Sequence, residues 1–139
     1  GIDVYASFMV RPEFSREDFR AFRSYCRSLP LGFAAFSVLT PLPGTKLFDE
    51  REAELTSRNW DHYDFLHPVL PTRLPLPEFY AEYADLLEGA VPLRQALGFL
   101  RRFPLTEVPG FVLRGSRLLR RIRNAWKDHP ISRPPSPRP

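Results

Sequence analysis

Only two stretches of this chain read as strands, a single helix joins them, and that limits the fold more than any other feature. Ile2, Val4, Ala6, Phe8 and Val10 alternate with Asp3, Tyr5, Ser7 and Met9, the period of a strand with one strongly apolar face. Ser15 then opens a helix with Asp18 three residues on as its capping-box partner. Along it Phe19, Phe22, Cys26 and Leu29 form one stripe, Arg16, Arg20, Arg23 and Arg27 take the other side, and Pro30 ends it. Gly32 to Leu39 is a nearly unbroken apolar run, the pattern of a strand buried on both faces of a parallel sheet. Strand, helix, strand with short links is one right-handed βαβ unit. Two parallel strands expose both edges, so further strands are expected from elsewhere, and the isolated piece is expected to be marginally stable.

The rest of the chain reads as helical and Pro-rich. A charged helix is expected from about Thr45 to Leu55, then a connection from Asn59 to Pro77 carrying Trp60, Tyr63, Phe65 and two histidines. Pro77 is placed to start a helix through Leu87 that buries Phe79, Tyr80, Tyr83, Leu86 and Leu87. Pro92 and Pro109 can start two more, the first through Phe103 and the second to about Lys127. The end, from His129 to Pro139, holds five prolines and is expected to be disordered. Four segments follow: 1–56 with two strands and two helices, 57–105 with the Pro-rich loop and helical extension, 106–128 as a basic amphipathic helix, and the tail 129–139.

Composition narrows the function classes. The 139 residues make one domain or a part of one, and 43% apolar with 14% aromatic content supplies a core. The chain starts on Gly1 directly in a strand pattern, which points to an excised piece. It has no apolar run of about 18 residues that would span a bilayer. One cysteine, Cys26, excludes an internal disulfide and any multi-thiolate metal site, and fits a reducing, cytoplasmic setting. Residues 1–90 hold 9 basic and 14 acidic side chains, whereas 91–139 hold 11 basic and 2 acidic, so the net charge of +4 belongs to the tail.

In parallel α/β and barrel folds, function gathers on loops leaving the C-terminal ends of strands. Here those loops are Met9-Val10-Arg11-Pro12-Glu13-Phe14 and Leu39-Thr40-Pro41-Leu42-Pro43-Gly44-Thr45. The second resembles the last barrel strand and following loop of cobalamin-binding radical SAM proteins, which commonly read T-P-x-P-G-T. Trp60 to His67, Leu70 to Pro75, Ala6 to Phe14 and the Pro77-Glu78-Phe79-Tyr80 helix start also resemble that superfamily's downstream region, most closely its hopanoid C-3 methylase subgroup. The resemblance covers roughly residues 1–105.

The resemblance implies an α/β fold, the last βαβ portion of a partial (β/α) radical SAM barrel followed by a mostly helical C-terminal region. It implies S-adenosylmethionine, a [4Fe–4S] cluster and cobalamin in the parent enzyme, a methylase acting on an unactivated carbon of a hopanoid-like lipid. The family's C-x-x-x-C-x-x-C motif and cobalamin domain are absent from this sequence, so the chain alone is not expected to be catalytically competent. Its partner would be the missing N-terminal part of the same enzyme. A glycine common in relatives after the first strand is replaced by Val10-Arg11.

Around these loops Met9, Arg11, Leu39, Thr40 and Pro41 are the candidate cofactor contacts. Arg11 is suited to the carboxylate of S-adenosylmethionine, or else pairs with Glu13 or Asp18. Thr40 either donates to the cofactor or caps the turn. Tyr63, Asp64 and His67 are candidate substrate contacts; the competing reading is that Asp64 and His67 order their own loop and Tyr63 anchors it. Asp61, His62, Asp64 and His67 look superficially like metal ligands, but their spacing in a Pro-rich loop is poor for a first shell.

The last helix places Val108, Phe111, Val112, Leu118, Leu119, Ile122 and Trp126 on one side and crowds arginines on the other. Arg117, Arg120, Arg121 and Trp126 are candidates for an anionic membrane surface, which is also the alternative, non-enzymatic reading of the chain. The competing expectation is docking against the absent barrel. Nucleic-acid binding fits the charge but lacks a recognition module.

Overall fold

A computed structural model describes residues 5–30, 33–90, 92, 97–98, 104 and 106–129. Strand β1 is Tyr5–Val10, helix α1 Arg16–Ser28 and strand β2 Phe33–Val38, with β1 and β2 parallel and in register from Tyr5 opposite Phe33 to Val10 opposite Val38. Helix α2 is Lys46–Arg51, continued by a 3-10 turn at Glu52–Glu54. A second 3-10 turn spans Trp60–His62, helix α3 is Leu76–Gly89, and helix α4 is Val108–Asn124 with a closing 3-10 turn at Ala125–Lys127. The helix expected from Pro92 to Phe103 lies outside the described residues, apart from isolated positions.

The Ser15 start is a full capping box. The Ser15 hydroxyl accepts from the Asp18 N–H at 3.2 Å while the Asp18 carboxylate accepts from the Ser15 N–H at 2.8 Å. Those bonds also hold the Asp18 carboxyl below its ordinary value. Ser15→Ala removes both hydroxyl bonds to Asp18 and orphans a helix donor, so it is expected to lower stability by about 1 kcal/mol. A urea midpoint unchanged within error would count against that cap.

One face of the β1–β2 pair is covered by aromatic packing. Phe8 stacks on Phe36 at 5.4 Å between centroids and meets Phe22 edge-on at 5.6 Å. Phe14 bridges Phe19 and Phe22, and Phe19 meets Phe79 of α3 at 5.6 Å. Edge-to-face pairs of this kind add about 0.5–1.5 kcal/mol each beyond area burial, which is where the aromatic content of the sequence goes. The Tyr83 hydroxyl donates to the Phe36 carbonyl at 2.9 Å and ties α3 to β2. Arg16–Glu78 and Arg23–Glu82 pairs lace α1 to α3 along their rims. The core is continuous from Val10 and Val38 through α1 and α3 to Ile122 of α4.

The expectation that β2 is buried on both faces is not met. Ala35 is exposed, and on the same face of the sheet Tyr5 and Met9 are 70% and 61% exposed. The physical reason is plain: no described element packs on that face. The outer edge of β2 is partly satisfied, since the Val38 N–H donates to the Phe65 carbonyl at 2.6 Å. Phe65 adopts φ +63° to deliver that carbonyl.

Two further expectations change. The charged helix is α-helical only to Arg51, its last turn tightening to 3-10. Of the tail expected to be disordered, residues 130–139 lie outside the described residues; its first residue, His129, is fully buried and donates through Nε2 to the Pro68 carbonyl at 2.8 Å. That bond, with the ring contacts to His62 and His67, pins the end of α4 to the 57–70 loop. The helix itself docks on α3 through Ile122, Ala125 and Trp126, with Arg123 paired to Asp85 and Glu88. Among the described residues no helix is long and apolar enough to cross a membrane.

Candidate functional site

The two strand-end loops lie side by side because the strands are in register and the Leu39 N–H donates to the Val10 carbonyl at 2.8 Å. Val10, Pro12, Val38, Thr40 and Pro41 are buried, while Met9 and Arg11 point outward. Thr40 donates its hydroxyl to the Val38 carbonyl at 3.0 Å, so its proton is used within the turn. Arg11 lies 3.5 Å from the Glu13 carboxylate, with its side chain 63% exposed.

Glu13 is the joint between the loops. It also pairs with Arg51 at the end of α2, at 2.9 Å. Partial burial works to raise the Glu13 carboxyl, but the Arg51 hydrogen bond and the charges around it outweigh burial and hold it below its ordinary value. The Arg73 N–H donates to the Pro12 carbonyl at 3.1 Å and closes the loop from the other side. Neither Glu13 nor Arg51 stands out in the sequence, because the pair is 38 residues apart and each member resembles an ordinary surface charge.

The Pro-Gly segment forms a tight turn by simple means. Pro43 and Gly44 occupy its centre, Gly44 at φ +81°, and the Thr45 N–H donates to the Leu42 carbonyl at 3.1 Å, the arrangement of a type II turn. Thr45 then accepts from the Phe48 N–H and caps α2. The turn therefore leads the chain out of β2 and into a helix with no slack.

The 57–70 loop reaches the same end of the sheet through the Phe65–Val38 bond. Within it Asp64 accepts from the Leu66 and His67 N–H groups and from Nδ1 of His67, the last at 2.9 Å. Burial works to raise the Asp64 carboxyl, and these bonds together pull it below its ordinary value. A carboxylate only accepts, so Nδ1 of His67 is the donor in this bond. Tyr63 is anchored by a tilted ring contact with Trp60 at 5.2 Å and by donating to the Ser57 carbonyl at 3.4 Å.

The three histidines of the chain form one cluster. The His62 ring lies 5.2 Å from that of His67 and 5.6 Å from that of His129, near-parallel to both, while His67 and His129 are 6.4 Å apart, and Nδ1 of His62 faces the Ser57 hydroxyl at 2.9 Å. Burial first, then the neighbouring imidazole, pushes His62 below its ordinary value; burial does the same to His129 against its bond to Pro68. Among the described residues no group of three or more His, Cys, Asp or Glu is arranged to hold a metal ion. Cys26 is buried on the core side of α1, where desolvation raises its thiol.

The structure thus brings Met9, Arg11, Leu39, Thr40 and Pro41 together at one sheet end, with Tyr63, Asp64 and His67 on the loop latched beside them. Arg117, Arg120 and Arg121 are exposed on α4, and Trp126 is half-buried against the core with Lys127 over its ring. His129 and Ser57 were not singled out by sequence, since neither carries a local signal.

The chain is similar in sequence to three proteins named as methylases or methyltransferases. The chain is 35% identical over 135 residues, 96% of its length, to the hopanoid C-3 methylase of Methylococcus capsulatus, and spans 25% of that protein. An uncharacterized methyltransferase of Pyrococcus horikoshii is 32% identical over 73 residues, half of this chain and 16% of the relative. The bacteriochlorophyllide d C-12(1)-methyltransferase of Chlorobaculum tepidum is 36% identical over 89 residues, 60% of this chain and 20% of the relative. No protein-family model and no solved structure matches. The resemblance read from the Thr40–Thr45 turn and its flanking segments is therefore borne out: the chain is a homologue of hopanoid C-3 methylase along nearly its whole length, and covers about a quarter of it.

Proposed function

We propose that this chain is the C-terminal part of a cobalamin-dependent radical SAM methylase that methylates an unactivated carbon of a hopanoid-like lipid. The observation that carries the reading is the 35% identity to hopanoid C-3 methylase over 96% of the chain. The open sheet face, with Tyr5 and Met9 exposed, is then the surface on which the preceding part of the same enzyme sits.

The residues of this chain do not fit the [4Fe–4S] cluster. Its one cysteine is buried in the core stripe of α1 and carries a raised thiol, the opposite of what a thiolate ligand needs. Cobalamin likewise belongs to another part of the protein. S-Adenosylmethionine fits better: Arg11 is exposed at a strand end beside Leu39 and Thr40, and its guanidinium suits a carboxylate. Bound in the whole enzyme, these cofactors supply the radical chemistry and the methyl group, while the protein positions them. Work on a lipid brings the enzyme to a membrane surface from the cytoplasmic side; exposed Val112 and Leu113 beside Arg117 and Arg120 are the part of α4 that would meet it.

The coding sequence upstream of Gly1 provides the first test. A C-x-x-x-C-x-x-C motif in the same reading frame supports the proposal, and a stop codon with a ribosome-binding site immediately upstream overturns it. In the whole enzyme, Arg11→Ala is expected to weaken S-adenosylmethionine binding by about tenfold, the loss of one charge-assisted contact. Calorimetric titration showing unchanged affinity would remove Arg11 from the cofactor site.

A further inference from the structure

The 57–70 loop carries Tyr63, Asp64 and His67, yet its one regular element is the 3-10 turn at Trp60–His62. A long connection of this kind keeps a single shape only where other parts of the chain fix it. Its base is closed by the Thr56 N–H, which donates to the Val69 carbonyl at 2.9 Å, and Val69 and Leu70 are buried. Its middle is harder to hold. Phe65 sits at φ +63°, in the left-handed region, where its Cβ is crowded by the backbone. Such a conformation is unfavourable and persists only where neighbours over-determine it.

Two bonds flank the strained residue. On one side the Val38 N–H of β2 donates to the Phe65 carbonyl at 2.6 Å. On the other, three residues further on, the Pro68 carbonyl accepts from Nε2 of His129 at 2.8 Å. Pro68 is a stiff place to hold, because its ring fixes its own φ and restricts His67 before it. A grip on its carbonyl is therefore passed back through His67 towards Phe65.

His129 can supply that grip because it is itself held. Its side chain is fully buried, and its N–H donates to the Trp126 carbonyl at 3.3 Å. Behind it α4 is fastened to α3 by the packing of Ile122 and by the pairs of Arg123 with Asp85 and Glu88. The loop is thus clamped between the end of β2 and the end of α4.

We propose that His129 is a positioning residue for the substrate: its bond to the Pro68 carbonyl keeps Phe65 in the left-handed conformation and so sets Tyr63, Asp64 and His67 beside the sheet end. Without that bond Phe65 relaxes towards negative φ and its carbonyl leaves Val38. The Asp64 turn that orders Leu66 and His67 then moves with it. The catalytic consequence rests on the methylase reading, in which Tyr63, Asp64 and His67 meet the lipid; the clamp itself does not.

Three variants separate the bond from the ring. His129→Ala loses both, His129→Phe keeps a ring that cannot donate, and His129→Gln lacks the ring but carries an amide donor for the carbonyl. Hydrogen exchange on the 139-residue chain follows the Val38 and Leu66 amides, with the Phe22 amide of α1 as reference. Relative to Phe22, both are expected to exchange about tenfold faster in the Ala and Phe variants and to recover in the Gln variant. No acceleration, or equal acceleration at all three amides, overturns the proposal. So does protection kept by His129→Phe and lost by His129→Gln, which would assign the clamp to ring packing. In the whole enzyme, assayed on a hopanoid lipid in detergent micelles, His129→Ala is expected to raise KM for the lipid about tenfold and leave that for S-adenosylmethionine unchanged, with His129→Gln restoring it. A lower kcat with both KM values unchanged is the mark of fewer folded molecules and overturns the positioning role. A parent enzyme that methylates no hopanoid removes the methylase reading instead, and the exchange result then decides the clamp alone.

Discussion

Phe19→Ala should lower the stability of this chain by about 3–5 kcal/mol, more than any other single truncation considered. Phe19 is fully buried on α1 and is the residue through which two halves of the core touch, meeting Phe14 on one side and Phe79 of α3 on the other. Removing the ring deletes both edge-to-face contacts and leaves a void that α1 cannot close, because its capping box and the Arg16–Glu78 and Arg23–Glu82 pairs hold it in place. Native domains have total stabilities of about 5–15 kcal/mol, and this one has a sheet of two strands covered on one face. A loss of that size takes a large part of the whole, so the variant is expected to be substantially unfolded at 37 °C. The matched control is Leu113→Ala, at a position 51% exposed on α4, which should shift stability by no more than about 0.5 kcal/mol. Urea titrations followed by far-UV circular dichroism separate the two. Equal effects would mean that the aromatic cluster is not the centre of the fold.

Much of that core was legible in the sequence, for local reasons. The alternation from Ala6 to Val10, the Ser15–Asp18 cap, the Phe19–Phe22–Cys26 stripe and Pro77 at the start of α3 each declare themselves within a few residues. So did the Pro43-Gly44 turn, because only a few backbone shapes accept that pair. What escaped was whatever depends on distant partners. The Glu13–Arg51 link joins residues 38 positions apart, and the Phe65 carbonyl reaches β2 only because Phe65 takes a positive φ. His129 is the sharpest case. It sits where proline content argues for disorder, yet its ring is the third member of a cluster whose other members are more than 60 residues earlier. The expectation for β2 failed in the opposite direction: an apolar run records what a strand is suited to meet, and no described part of the chain meets that face.

The same histidine cluster gives the chain a pH dependence with a definite sign. His62 and His129 are buried and pushed below their ordinary value near 6.5, so the folded state holds both neutral at pH values where the unfolded chain has begun to take up protons. Above about pH 6.5 both states are neutral at these sites and the full stability is present. As pH falls below that value the unfolded chain gains protons that the folded one refuses, and stability drops until the folded pKa is reached. The slope can reach about 1.4 kcal/mol per pH unit for each histidine. Glu13 and Asp64 do not contribute in this window. Both carboxyls are held below their ordinary 4.5 and 3.8, so the stability they add is lost only at more acidic pH. Protonating His129 does not break its bond to Pro68, since Nε2 carries a proton in either form; the penalty comes from placing charge in a buried stack beside two other imidazoles. His129→Phe keeps a ring in the cluster and removes one titrating group, so it should reduce the slope of unfolding free energy between pH 7.5 and 5.5 to roughly half that of the parent. Urea titrations at intervals of half a pH unit measure that slope. A parent curve flat across this window, or a variant slope equal to the parent's, would show that the cluster tolerates charge and that burial does not govern these rings.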